Sequence, residues 1–239
     1  RSLRESFHDR GYLEVETPTL QTLAGGAAAR PFVTHMNAFD VDLYLRIATE
    51  LFLKQAVVGG VERVYEIGRN FRNEGVDSSH SPEFSAMEAY EAWTDYDGIA
   101  AMTRGLVQEA AQNVFGTTEL TLADGSPYDV GGEWEKISLY DAVSHALGEE
   151  ITPEVPLVEL QRHAAALDLD VSGKAPTPGK VAEELFEHLV GDHLHAPTFV
   201  RDFPVDTSPL TRAHRSKPGV TEKWDLYIRG FELATGYSE

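Results

Sequence analysis

Residues 71–93 read FRNEGVDSSHSPEFSAMEAYEAW, and the second half of this stretch alternates in the way that a β-strand does. One face of the predicted strand carries Phe84, Ala86, Glu88 and Tyr90. Both faces combine apolar residues with a glutamate, so neither is typical of a plain core or a plain surface. We predict two antiparallel strands, 64–71 and 84–93, joined by the loop 74–82.

The other patterns along the chain predict an α+β protein. Helices are expected over 2–10, 48–58, 95–115, 138–147, 156–167 and 178–191. Strands are expected over 12–16, 41–47, 119–122, 127–130 and 197–204, and over 224–239 as a hairpin that turns at Arg229-Gly230. The predicted fold is an antiparallel sheet flanked by helices, with a helical insertion at about 135–195.

Composition excludes several kinds of site. The chain has 239 residues, which suits one large or two small domains. It contains no cysteine, so disulfides, thiolate nucleophiles and zinc–sulfur sites are excluded. The formal net charge of −19 argues against binding nucleic acid through bulk electrostatics, although it does not exclude a local basic groove. No apolar run approaches the roughly 20 residues of a membrane-spanning helix.

Charged residues on the predicted strands suggest a ligand site. Arg72 and Glu88 are expected to lie on strands of a sheet, where a charged side chain needs a partner or a ligand. Glu88 and Tyr90 share a face, and a carboxylate beside a phenol hydroxyl can bind an ammonium or guanidinium group. The alternative, which is commoner in proteins, is an internal salt bridge to one of the chain's own cations.

The last hairpin offers a second group of carboxylates. Asp225 and Glu232 can approach each other across the turn, and two carboxylates suit Mg²⁺, which keeps most of its waters and prefers phosphate co-ligands. The alternative is a pair of surface strands with no ligand. Residue types and spacing thus predict a cleft for a small cation and a phosphate, and they leave the reaction open.

Longer stretches resemble one known family. The segment FRNEG…HSPEFSAMEAY resembles motif 2 of class II aminoacyl-tRNA synthetases, specifically the bacterial lysyl enzymes, and GYLEVETPTL resembles the end of motif 1. The segments PTFVRDFP, SPL and FELATGYSE follow in the family's order. The resemblance covers essentially the whole chain and is least distinctive over 130–195.

The resemblance implies a two-step reaction. The carboxylate of lysine attacks the α-phosphate of ATP, and the 3′ end of tRNA(Lys) then accepts the lysyl group from the adenylate. Arg72 matches the catalytic arginine that bridges the carboxylate and the α-phosphate, a task that suits a planar guanidinium. Further ATP contacts are implied at Glu74, His80, Ser81, Phe84 and Ala86.

The resemblance also implies a lysine pocket and a metal site. Besides Arg72, its lysine contacts are Gly26, Glu50, Glu88, Tyr90, Thr235, Tyr237 and Glu239. Glu88, Tyr90 and Glu239 match the group around the ε-ammonium, while Glu50 and Gly26 match contacts to the α-ammonium. The two carboxylates of Glu88 and Glu239 around the ε-ammonium favour lysine. A competitor with an uncharged side chain, such as methionine or leucine, would leave both carboxylates unpaired. Asp225 and Glu232 match the residues that bind Mg²⁺.

Four positions depart from the usual family residues. Asp225 stands where glutamate is frequent, Ser81 where asparagine is frequent and Ala86 where methionine is frequent. Thr235 replaces an asparagine that is common in the lysine pocket. None of these changes removes a charged contact, and Asp225 can still bind a metal ion, although with a shorter reach than glutamate.

The ends of the chain suggest part of a longer protein, because it does not begin with Met and both ends fall within predicted elements. The resemblance predicts that an anticodon-binding OB domain and the C-terminal motif 3 lie outside residues 1–239, so we expect this chain alone to activate lysine poorly. It also implies a cytoplasmic homodimer that does not use a membrane. Two alternatives stay open: a lysine ligase that acts on a protein or lipid acceptor, and a non-catalytic relative that binds lysine.

Overall fold

The computed structural model describes residues 1–77, 80–171 and 176–239. The chain divides into two compact units, Arg1–Trp93 and Thr94–Glu239. Ser78 and Ser79, which belong to the predicted loop 74–82, lie outside the described residues. None of the helices in the described ranges is long and apolar enough to cross a membrane.

The first unit is built around a β-hairpin. Its elements are α1 (Ser2–Asp9), β1 (Leu13–Glu14), β2 (Leu20–Gln21), β3 (Val33–Met36), β4 (Val41–Leu45), α2 (Glu50–Val58), β5 (Arg63–Phe71) and β6 (Glu83–Glu91). Strands β5 and β6 pair antiparallel over nine residues, as predicted, and β1 adds to the β5 edge. A separate antiparallel sheet has the order β2-β4-β3. Aromatic packing joins α1 to the hairpin, since the Phe7 and Tyr65 rings stack with centroids 4.3 Å apart.

The second unit places a four-stranded sheet between helices. Its elements are α3 (Tyr96–Phe115), β7 (Glu119–Thr121), β8 (Pro127–Asp129), β9 (Glu135–Ser138), α4 (Leu139–Leu147), α5 (Leu157–Ala166), α6 (Pro178–Leu189), a 3₁₀ turn (Gly191–His193), β10 (Thr198–Arg201), β11 (Lys223–Ile228) and β12 (Phe231–Tyr237). The sheet order is β12-β11-β10-β9. Leu226 and Phe199 pack towards α3, whereas Tyr227 and Val200 pack towards α4, α5 and α6.

Capping residues fix the ends of the helices that the sequence predicts best. The Asp95 side chain accepts hydrogen bonds from the N–H groups of Asp97 and Gly98, which starts α3. Gly116, with φ of +75°, ends that helix by donating its N–H to Gln112. At the start of α6, the Thr177 side chain accepts the Lys180 N–H, and Pro178 occupies the first helical position.

The α+β class is confirmed, but the expectation of an antiparallel arrangement throughout is wrong in two places. Strand β1 runs parallel to β5, and β9 runs parallel to β10. Both parallel pairs are joined by long connections that contain helices, as parallel pairing requires. The sequence analysis did not predict β2, β3 and β9, which are two to four residues long. The predicted insertion 135–195 contains α4, α5 and α6, while its first residues form β9.

Candidate active site

In the first unit, one face of the β5–β6 hairpin carries the predicted ligand residues. Phe84, Ala86, Glu88 and Tyr90 are half-buried, while Glu83, Ser85 and Met87, which point the other way, are exposed. The register places Glu66 opposite Glu88 and Asn70 opposite Phe84. Directly opposite residues share a face, so Glu66 and Asn70 join the same surface. The alternation predicted from the sequence thus gathers two carboxylates there.

The Glu88 carboxylate is held by neutral donors. Its Oε1 accepts the Thr49 backbone N–H at 3.1 Å and the Asn70 side-chain amide at 3.5 Å. Its Oε2 accepts the Tyr90 hydroxyl at 3.4 Å. Within the described part of the chain, no lysine, arginine or histidine forms an ion pair with Glu88, so the internal salt bridge that the sequence left open is not formed. Glu88 is therefore a candidate contact for a cationic ligand.

The neighbouring Glu66 is neutralised inside the protein. Its Oε1 lies 2.6 Å from the Arg46 guanidinium, and its Oε2 accepts the Thr17 hydroxyl at 2.6 Å. Both members of the ion pair are buried. Gly68 leaves room for the arginine, because a Cβ there would meet the Arg46 guanidinium. Sequence reasoning missed Arg46, although an arginine on a predicted strand is a signal for a buried carboxylate partner.

Arg72 follows β5 and packs beside Phe84. The centre of its guanidinium lies 5.1 Å from the centroid of the Phe84 ring. Its backbone N–H donates to the Pro82 carbonyl at 2.9 Å, which fixes the start of the loop. The Arg72 Nε is buried and has no hydrogen-bond partner among the described residues. Such a group is suited to an anionic ligand.

The other predicted ATP contacts in the loop are exposed. Glu74 accepts the Arg30 backbone N–H at 3.2 Å, and Ser81 donates its hydroxyl to the Glu83 carbonyl at 2.9 Å. The His80 ring nitrogen Nδ1 lies 2.8 Å from the Asp77 carboxylate. These contacts order each side chain near the hairpin end, and their roles towards ATP remain predictions.

Gly26 and Glu50 lie together at the start of α2. Gly26 has φ of +87°, and a Cβ there would lie 3.0 Å from the Glu50 Cβ and 3.2 Å from the Ala48 Cβ. Only glycine fits such a position without strain. Glu50 is buried and forms an ion pair with Lys54, one helical turn later. The predicted contacts of the first unit thus divide between the β6 face and the start of α2.

In the second unit, a β-bulge arranges the predicted residues of the last hairpin. Strict alternation would place Glu232 and Thr235 on opposite faces of β12. The register shifts between Leu226 and Tyr227, so that Asp225 pairs with Thr235 while Tyr227 pairs with Glu232. Glu232 and Thr235 therefore share the face of Asp225. No local pattern of residues indicates this bulge.

Two other predicted lysine contacts lie near the end of this hairpin. Tyr237 is half-buried and pairs with Lys223, which puts it on the same face as Asp225 and Thr235. Glu239 is exposed and follows β12. Their roles towards lysine stay predictions.

Asp225 is buried in an acidic surrounding. One oxygen, Oδ2, lies 3.1 Å from the Lys223 ammonium, while Oδ1 is buried with no hydrogen-bond partner in the described residues. Burial raises the pKa of Asp225 above its ordinary value, against the opposing effect of Lys223. Burial of the carboxyl, followed by repulsion from Asp225, raises the pKa of Glu232 to about 7. Glu232 is nevertheless exposed by surface area, so repulsion is the better supported of these two causes.

Two glutamates on α6 contribute to this acidic surrounding. Burial raises the pKa of Glu183. Burial, followed by repulsion from Glu184, raises the pKa of Glu187, but Glu187 is exposed by surface area, so repulsion is the better supported cause there. Both carboxylates repel Asp225. Glu183 also accepts the Thr207 hydroxyl at 2.7 Å. Sequence reasoning missed both residues, since their four-residue spacing on a helix is equally typical of a solvated face.

The donor set of Asp225 and Glu232 fits a divalent cation. Both are carboxylates, and the buried Oδ1 of Asp225 lacks a partner that a cation would supply. Over residues 1–77, 80–171 and 176–239, no group of three or more His, Asp or Glu side chains is placed to hold a metal ion. A cation at this position would need further ligands from water or phosphate.

The family model and the similar proteins indicate the same family. The family model described as tRNA synthetases class II (D, K and N) matches residues 1–239. A lysine–tRNA ligase of Kineococcus radiotolerans is 66% identical over 239 residues, and one of Mycolicibacterium gilvum is 61% identical over 240 residues. Both alignments cover all of this chain and 48% of the relative.

One further relative is a larger protein with a different name. The lysylphosphatidylglycerol biosynthesis bifunctional protein of Mycobacterium avium is 51% identical over 243 residues, which cover all of this chain and 21% of that protein. The chain spans about half the length of the lysine–tRNA ligases that it matches. Since the family model matches from the first residue to the last, the chain belongs to the class II tRNA synthetases (D, K and N).

Proposed function

We propose that this chain forms the lysine- and ATP-binding part of a lysine–tRNA ligase. The observation that carries the proposal is the Glu88 carboxylate, which the protein holds with three neutral donors while it neutralises the neighbouring Glu66 with Arg46. A fixed, unneutralised carboxylate is suited to the ammonium group of an amino acid such as lysine. The names of the relatives that are 59–66% identical support the same substrate.

In the proposed first step, the carboxylate oxygen of lysine attacks the α-phosphorus of ATP. A new P–O bond forms the lysyl-adenylate, the bond between the α-phosphorus and the bridging oxygen breaks, and pyrophosphate leaves. The substrate itself supplies the nucleophile, so the protein contributes positioning and charge neutralisation. Arg72 would bind both the carboxylate and the α-phosphate, which its planar fork of donors allows. The Phe84 ring beside it would stack on adenine.

Lysine selectivity would come from the residues around the ε-ammonium, where Glu88 and Tyr90 would bind it. Glu50 beside Gly26 would bind the α-ammonium, which every amino acid carries. Thr235, Tyr237 and Glu239 are proposed to complete the contacts to lysine. An amino acid with an uncharged side chain would leave Glu88 without its counter-charge, and this costs more free energy than a lost apolar contact.

Asp225 and Glu232 are proposed to hold Mg²⁺. Bound Mg²⁺ supplies positive charge that offsets the phosphates of ATP. In this chain the two carboxylates would bind the cation, and Lys223 would offset the charge of Asp225 in its absence. The buried Oδ1 of Asp225 supports this assignment, because it has no hydrogen-bond partner among the residues that the structure describes.

In the proposed second step, a hydroxyl at the 3′ end of tRNA(Lys) attacks the lysyl carbonyl, and AMP leaves. The proposed enzyme acts as a homodimer in the cytoplasm. A lipid acceptor is the second candidate, because one relative is named for lysylphosphatidylglycerol biosynthesis. The tRNA acceptor is preferred, since relatives named for it are more similar and match over a larger share of their length.

An acceptor assay on the full-length protein that contains these residues tests this choice. Radiolabelled lysine and ATP are supplied with tRNA(Lys) or with phosphatidylglycerol vesicles, and the label is followed into each acceptor. Transfer to tRNA in the absence of lipid is expected, and Arg72→Ala should abolish it. Transfer to neither acceptor, with lysine still bound, would contradict the proposed ligase and support a non-catalytic lysine-binding protein.

A further inference from the structure

The start of α2 contains a lysine side chain among the residues proposed to recognise lysine. The Lys54 ammonium pairs with the Glu50 carboxylate. It also lies 5.8 Å from the centroid of the Tyr90 ring, within the range of a cation–π contact. An internal ammonium therefore stands against two side chains that are expected to contact the ammonium groups of the substrate.

The ion pair is more buried than the pair of the same spacing on α6. The Glu50 side chain is 6% exposed and that of Lys54 is 25% exposed. The corresponding pair on α6, Lys180 and Glu184, is 52% and 42% exposed. Exposed pairs one turn apart contribute little to stability, whereas a buried carboxylate needs a compensating charge. Lys54 thus supplies the charge that Glu50 requires when no ligand is bound.

The same chemistry makes Lys54 a competitor of the substrate. Its ammonium group is identical in kind to the two ammonium groups of free lysine. A carboxylate that is already paired binds a second ammonium less strongly, because the first must move away or share the oxygens. Only 6% of the Glu50 side chain is exposed, so little of the carboxylate stays open to a second ammonium while Lys54 is paired with it.

We infer that Lys54 is an internal counter-ion that occupies the ammonium subsite at Glu50 in the free protein and yields it to the substrate. The inference rests on the proposed function, because it needs lysine as the ligand. Lys54 is then a positioning residue that lowers the affinity for lysine and keeps the empty pocket folded. A purely structural ion pair would affect folding alone.

The test uses the full-length protein with free L-lysine as the probe. Lysine affinity is measured by isothermal titration calorimetry, and Tm is measured with and without saturating lysine. Lys54→Met removes the charge and keeps an unbranched side chain of similar length, while Lys54→Arg keeps the charge. Lys180→Met removes the lysine of the exposed pair on α6 and serves as the matched control.

The inference predicts a combination of two results. Lys54→Met should lower Tm without lysine and should bind lysine more tightly, by about tenfold if the pair closes the subsite in nine molecules of ten. Saturating lysine should then recover the lost Tm, because the substrate ammonium replaces the missing charge. Lys54→Arg should keep the wild-type affinity to within about threefold, and Lys180→Met should leave it unchanged.

Other outcomes separate the two proposals. If Lys54→Met binds lysine with unchanged or weaker affinity, and lysine raises its Tm no more than that of the wild type, Lys54 is a structural residue and the inference is wrong. If the wild-type protein binds no lysine at all, the proposed function fails first.

Discussion

Replacing Glu88 by glutamine removes one charge and little else. The amide oxygen of glutamine can take the place of Oε1 and accept from the Thr49 N–H and from Asn70. The amide nitrogen then replaces Oε2 and donates to the Tyr90 hydroxyl oxygen, which reverses the present hydrogen bond. The free energy of unfolding should therefore change by less than about 1 kcal/mol.

The effect on lysine should be much larger. Truncating one member of a hydrogen-bonded charge pair costs about 2–5 kcal/mol. Because Glu88 is half-buried, we take about 3 kcal/mol, which corresponds to a rise of roughly 150-fold in the KM for lysine. The KM for ATP should stay nearly constant, since Glu88 is assigned to the amino acid and not to the nucleotide.

Lysine-dependent exchange of pyrophosphate into ATP, measured on the full-length protein, gives both KM values. Glu91→Gln is the matched control, because Glu91 lies on the same strand but bonds to Tyr12 and Arg63. This control should lower Tm without changing the KM for lysine. A Glu88→Gln protein with normal Tm and a KM for lysine within threefold of the wild type would refute the assignment of Glu88.

Three further substitutions test other parts of the site. Arg72→Lys should lower the exchange rate by about a hundredfold with little change in Tm, because lysine keeps the charge and loses the planar fork; an unchanged rate would contradict the bridging role. Arg46→Met should cost about 3–5 kcal/mol in urea unfolding, and adding Glu66→Met should recover most of it, since the loss comes from an unpaired buried carboxylate. Because the pKa of Glu232 is raised to about 7, a proton competes with Mg²⁺ below that pH. The rise in Tm that Mg²⁺ causes should therefore be larger at pH 8 than at pH 6, and Glu232→Gln should remove this difference.

Local patterns explain the parts of the fold that the sequence predicts well. The alternation on β6 and the caps of α3 depend on residues within a few positions of one another, so both can be read from the chain. Strand β9 could not be predicted from local residues, because its partner β10 begins only at Thr198, after three helices. The bulge on β12 depends on the register with β11, which no local pattern fixes.

The same distinction applies to the candidate site. Arg72, Glu88 and Tyr90 belong to one hairpin, and the structure places their side chains on or beside its half-buried face. The Arg46–Glu66 pair joins the residue after β4 to β5, and the carboxylates of α6 come from a helix far along the chain from β6. Within the residues that the structure describes, tertiary packing shows that Glu66 has an internal cation and that Glu88, on the same face, has none.

The most direct test of the account is amino-acid-dependent ATP–pyrophosphate exchange on the full-length protein, with Mg²⁺ and each of the twenty amino acids in turn. We predict exchange with lysine alone, and loss of that exchange in Arg72→Ala. Exchange driven by another amino acid, or no exchange despite calorimetric binding of lysine, would contradict it.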